Sequence, residues 1–122
     1  MSLILVVDDE PHIRRLVAFA LEKRGHEVLE AKDGPTGISL ATERLPDVIL
    51  MDVMMPVMTG LEAVDLLKSD SRTASIPVVF LSARSQEYEQ NEGLRVGAVK
   101  YICKPFTPSV LGQTVADILS DR

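Results

Sequence analysis

The chain has 122 residues, 46% of them hydrophobic and 25% charged, which suits one globular domain and excludes a largely disordered chain. Thirteen Lys and Arg against eighteen Asp and Glu leave a formal charge of −5, which excludes the basic face that duplex DNA binding needs. One Cys excludes an internal disulfide framework and fits a reducing, cytoplasmic setting, and no apolar run approaches the roughly 20 residues that span a bilayer.

Met1–Asp9 has no basic region ahead of its apolar stretch and does not read as a signal peptide. Leu3–Val7 is the first of five short runs rich in Val, Ile and Leu; the others are Val28–Ala31, Val48–Met51, Val78–Leu81 and Tyr101–Cys103. Each has the length of a buried strand. After the first run, Ile13, Leu16, Val17, Ala20 and Leu21 form one helical stripe, and Gly25 stands where that helix should stop. Asp33-Gly34-Pro35 opens a shorter helix through Ile38 and Ala41. Leu61, Val64 and Leu67 predict a third helix begun near Gly60. Ser85–Val96 reads SQEYEQNEGLRV, poor in apolar residues and interrupted by Gly93. An internal Gly costs roughly 1 kcal/mol against Ala, so the expectation is a weakly anchored helix suited to movement. Val110, Leu111, Val115, Ile118 and Leu119 mark the last helix, with Thr107 as N-cap and Pro108 at its first position.

Strand and helix thus alternate five times, with no repeat, low-complexity stretch or linker. The pattern predicts an α/β fold: a doubly wound, five-stranded parallel sheet with helices on both faces and right-handed crossovers.

Ligands of such sheets bind beyond the carboxyl ends of the strands. Those ends carry Asp8, Asp9 and Glu10, then Asp52, then Ser82, then Lys104 and Pro105. Carboxylates gathered in one pocket repel one another and raise one another's pKa. A hard divalent cation such as Mg²⁺ relieves that repulsion, because it takes oxygen ligands and keeps several waters. Its charge also makes room for an anion, and a phosphoryl group is the obvious one. A carboxylate can be its nucleophile, forming an aspartyl phosphate. Lys104 would neutralise phosphoryl oxygens and Ser82 would donate a hydrogen bond, leaving positioning and charge neutralisation as the main tasks.

The sequence resembles a response-regulator receiver domain of two-component signalling, of the chemotaxis-regulator type. The resemblance rests on Val6-Val7-Asp8-Asp9-Glu10, Ile49-Leu50-Met51-Asp52, Met54-Met55-Pro56 with Gly60, Leu81-Ser82-Ala83, Gly97-Ala98 and Lys104-Pro105-Phe106. It implies one receiver domain over residues 1–122, written (βα)5, with flavodoxin-like strand order 2-1-3-4-5. Asp52 would be the phosphoacceptor. Asp8, Asp9, Asp52 and the backbone carbonyl of Met54 would hold Mg²⁺ or Mn²⁺. Ser82 would be the switch hydroxyl, Tyr101 the switch aromatic, and Lys104 the partner of the phosphoryl group or, before phosphorylation, of Asp52. The Lys104-Pro105 bond would be cis, and Met54 and Arg84 would modulate phosphate lifetime. The implied partner is a sensor histidine kinase or phosphotransfer protein, with neither nucleic-acid binding nor membrane insertion by this domain. Output target, dimerisation and any further domain stay open. Two places depart from the family pattern. Val99 and Lys100 follow Gly97-Ala98 where acidic residues are frequent, and Thr59 precedes Gly60 where Asp or Asn is frequent. They leave the partner surface open.

Plainer readings compete residue by residue. Asp8 and Asp9 also suit a helix N-terminus, Asp52 a turn, Ser82 an N-cap and Tyr101 ordinary packing. Met51, Met54, Met55 and Met58 read as core and loop packing instead of a soft-metal site. His12 reads as solvated and Cys103 as a small buried hydrophobe. An aspartate-nucleophile phosphohydrolase would want an acid–base residue where Met54 stands. A flavin carrier would want glycine amides where Asp8-Asp9-Glu10-Pro11 stands.

Overall fold

The computed structural model describes residues 2–82 and 97–121. The aliphatic runs form strands Leu3–Val7 (β1), Glu27–Ala31 (β2), Val48–Asp52 (β3), Val78–Ser82 (β4) and Lys100–Cys103 (β5). All pairings are parallel and the order is β2-β1-β3-β4-β5. This is the expected doubly wound sheet. The helices are Pro11–Glu22 (α1), Gly34–Arg44 (α2), Gly60–Ser69 (α3) and Pro108–Ser120 (α4). The helix expected over Ser85–Val96, together with Ala83 and Arg84, lies outside the described residues. No helix among the described residues is long and apolar enough to cross a membrane.

Strand side chains alternate between two faces. Leu5, Val7, Ile49, Met51, Val78 and Phe80 pack with Ala63, Val64 and Leu67 of α3. Ile4, Val6, Val48, Leu50, Val79 and Leu81 pack with Val17 and Leu21 of α1 and with Leu111 and Val115 of α4. The central strands β3 and β4 are buried along their whole length. The marginal strands are not: β2 and β5 each mix exposed, half-buried and buried residues, because a sheet edge has a neighbour on one side only. Cys103 accordingly stands half-buried instead of enclosed. Two stripe residues also reach the surface, Leu16 on α1 and Val110 on α4. Met51 and Met55 are core and Met58 packs against it, whereas Met54 is exposed.

Local chemistry sets the helix starts. Asp33 accepts from the Thr36 amide at 2.9 Å, and Thr107 accepts from the Val110 amide at 3.1 Å. Thr59 and Glu62 form a reciprocal capping box on α3, with the Glu62 amide 3.2 Å from Thr59 Oγ1 and the Thr59 amide 3.1 Å from Glu62 Oε1. The departure at position 59 therefore keeps the capping function. Gly25 takes φ 93° just beyond α1, while Leu45 ends α2 at φ 49° and Val57 takes φ 72° in the loop before α3.

Candidate functional site

β3 and β4 each run one residue further than their apolar runs suggest. Asp52 and Ser82 are the last ladder residues, in register with Leu81 and Cys103. Beyond β1, the Asp8 amide donates to the Ala31 carbonyl at 3.1 Å, which fixes Asp8 at the sheet edge. Beyond β5, the Lys104 amide donates to the Ser82 carbonyl at 2.6 Å and brings Lys104 to the same edge. The Lys104–Pro105 peptide is cis.

Four carboxylates meet there: Asp8, Asp9, Glu10 and Asp52 present oxygens that all lie within 4.8 Å of one another. Asp8 is fully buried and Asp52 is 5% exposed. Asp8 Oδ1 accepts from the Glu10 amide at 2.9 Å, and Asp52 Oδ1 accepts a long bond from the Met54 amide at 3.4 Å. Lys104 Nζ donates to Asp8 Oδ2 at 3.0 Å, with Asp52 Oδ2 at 3.7 Å and Glu10 Oε1 at 3.9 Å. The ammonium thus sits among three acids, and its closest partner is Asp8, not Asp52.

Burial first, and then the charge of Asp8, push the Asp52 carboxyl up to about 6, against the opposing pull of Lys104 and the Met54 amide. For Lys104, burial favours loss of the proton, but the hydrogen bond to Asp8 and the charges of Asp52, Asp8 and Glu10 outweigh it, so its pKa is raised. More negative charge is gathered here than one lysine balances. Oxygen donors on four side chains suit a hard divalent cation and offer nothing to a soft one.

The close approach of α3 completes the floor. The Gly60 amide donates to the Val53 carbonyl at 2.8 Å. A Cβ on Gly60 would run into the Asp52 carbonyl and would meet Val53 Cα at 2.9 Å and Phe80 Cε1 at 3.0 Å. Phe80 carries the edge of Tyr101, with ring centroids 6.5 Å apart at 63°. Tyr101 is half-buried, Ser82 is buried, and both have partners. His12 is solvated, 76% exposed, with Glu10 at 3.6 Å.

Asp8, Asp9, Asp52 and Lys104 are therefore brought together. Two participants went unassigned from sequence. Glu10 was visible as a third acid after the first run. Arg14 donates from Nη1 to the Asp8 carbonyl at 2.7 Å and from Nε to Glu30 Oε1 at 3.2 Å. Nothing local announces it, since its anchor Glu30 belongs to β2.

Fold and site together define a doubly wound α/β domain with a buried acid-and-lysine pocket at the carboxyl edge of its sheet. Residues 4–116 match the model of the response regulator receiver domain, and the chain belongs to that family. It is 39% identical over 120 residues to protein PilH of Pseudomonas aeruginosa, covering 98% of this chain and 99% of PilH. It is 45% identical over 108 residues to the phosphate regulon transcriptional regulatory protein PhoB of Klebsiella pneumoniae, covering 88% of this chain but 47% of PhoB, so the chain spans about half the length of that relative. The solved structure of the chemotaxis response regulator CheY4 of Vibrio cholerae superimposes with a TM-score of 0.92 at 36% identity, over 97% of this chain and 98% of that one. Receiver domains are regulatory phosphoacceptor domains of two-component signalling that take phosphoryl groups from histidine kinases.

Proposed function

We propose that residues 1–122 form one receiver unit that accepts a phosphoryl group on Asp52 and answers by changing the surface around β5 and α4. The carrying observation is the convergence of Lys104 with Asp8, Asp9 and Asp52, supplied by β1, β3 and β5. The donor is a phosphohistidine on a sensor kinase or phosphotransfer protein. An Asp52 oxygen attacks phosphorus as the P–N bond breaks; the electron pair of that bond stays on the imidazole nitrogen, which then takes a proton. Asp8, Asp9, Asp52 and the Met54 carbonyl would hold Mg²⁺ or Mn²⁺, which supplies charge neutralisation for the transferring phosphoryl group. Lys104 exchanges Asp8 for a phosphoryl oxygen, and Ser82 donates its hydroxyl to another. Phosphorylation adds a charge of about −1.5 to −2 and strong acceptors beside these groups. Tyr101, half-buried against Phe80, then repacks and alters the β5–α4 face. Met54, exposed beside the acceptor, and Arg84 set how readily water removes the phosphoryl group. The modification biases a two-state domain; it makes no new fold.

Incubation with Mg²⁺ and acetyl phosphate, followed by intact-mass measurement, is expected to show one phosphoryl adduct. Asp52→Ala is expected to lose it. A full adduct on Asp52→Ala overturns the assignment.

A further inference from the structure

Arg14 lies on α1 outside the carboxylate cluster, and the phosphotransfer chemistry does not use it. Yet its guanidinium spans two elements. Nη1 holds the Asp8 carbonyl at 2.7 Å while Nε holds Glu30 of β2 at 3.2 Å, and both side chains are largely buried, at 17% and 26% exposure. We infer that Arg14, braced by Glu30, is a positioning residue of the acidic pocket, clamping the Asp8–Asp9 peptide so that both carboxylates face the divalent cation. The planar fork explains why arginine is needed: one prong takes a carbonyl and the other a carboxylate. With its carbonyl clamped, Asp8 is pinned at both backbone ends, since its amide already bonds Ala31 at 3.1 Å. The peptide that carries Asp9 shares that clamped carbonyl.

The inference rests on the divalent site proposed above, and its test separates the two. Charge and geometry pull in opposite directions. Removing a cation from an acidic pocket tightens cation binding by Coulomb's law. A weakened affinity therefore reports lost positioning, not lost charge. Mg²⁺ alone, without phosphodonor, is titrated calorimetrically into the full chain, with Mn²⁺ binding followed by paramagnetic resonance as a check. Arg14→Lys keeps the charge but not the fork, and is expected to raise the Kd about tenfold, the scale of outer-shell substitutions at metal sites. Arg14→Met is expected to raise it too. Arg44→Gln removes an arginine that pairs with Glu27 of the same strand at 3.3 Å, and is expected to leave the affinity unweakened. Phosphorylation of Arg14→Lys by acetyl phosphate should return to the wild-type rate at saturating Mg²⁺. A lower melting temperature with an unchanged Kd in both Arg14 variants overturns the clamp and leaves the divalent site standing. Absence of Mg²⁺ and Mn²⁺ binding in the wild-type chain overturns both.

Discussion

The buried Asp52 carboxyl makes the stability of the fold depend on pH. The group is pushed up to about 6 in the folded domain, by burial above all and by Asp8, whereas an unfolded chain ionises it near 3.9. Between those values the folded state keeps a proton that the unfolded chain has released, so this group's contribution to stability falls as pH rises through the interval. Above pH 6 the charged, desolvated carboxylate costs at most about 3 kcal/mol, reduced by whatever solvent screening reaches it. Without divalent cations at pH 7.5, Asp52→Asn is therefore expected to be more stable than wild type by up to about 3 kcal/mol in urea unfolding. The two should converge below about pH 4. A gap that does not depend on pH would contradict this. Val57 stores strain of another kind: it is β-branched, 90% exposed, and held at φ 72°. Val57→Gly removes little packing and is expected to stabilise by about 1 kcal/mol, read as a higher unfolding midpoint.

At the scale of elements, the start of α3 matters most, because it abuts the carbonyl of Asp52. Gly60→Ala places a methyl group against backbone that cannot yield, and is expected to cost about 2–3 kcal/mol in chemical unfolding. Thr59→Ala removes the capping box and is expected to cost about 1 kcal/mol. The elements themselves were legible in the sequence, since aliphatic runs and 3.6-residue stripes are local signals. So were Asp8, Asp9, Asp52 and Lys104, because a parallel sheet brings its carboxyl ends to one edge whatever the loops do. What was not legible depends on partners distant in sequence. The half-burial of Cys103 follows from β5 being marginal, which the strand order implied by the resemblance contains but the apolar run around Cys103 does not. The preference of Lys104 for Asp8 is a difference of less than one ångström between two acids. Arg14 needed Glu30 on β2 before its direction made sense. The αL conformation of Leu45 shows the same: it closes α2 where the expected residue type is Gly.

For the whole molecule, a divalent cation held in the acidic pocket, as proposed, would couple to folding. A ligand that binds only the folded state stabilises it by about 2.7 kcal/mol at 100 times its Kd. Mg²⁺ is therefore expected to raise the melting temperature, a chelator to reverse the gain, and Asp52→Asn to gain less. No shift in wild type at high Mg²⁺ would contradict the pocket's capacity for the ion. The strand order adds something further. Asp8 and Asp52 follow or end β1 and β3, which have strands on both sides, while Lys104 follows β5, which pairs only with β4. Asp52 thus ends a strand paired on both sides, and Lys104 follows a strand paired on one side only. A phosphoryl group on Asp52, as proposed, would act from the doubly paired centre of the sheet on its singly paired margin, as on a lever with its pivot inboard. Slow amide exchange at Leu50 and Met51, with faster exchange at Lys100 and Tyr101, would be the signature of that asymmetry.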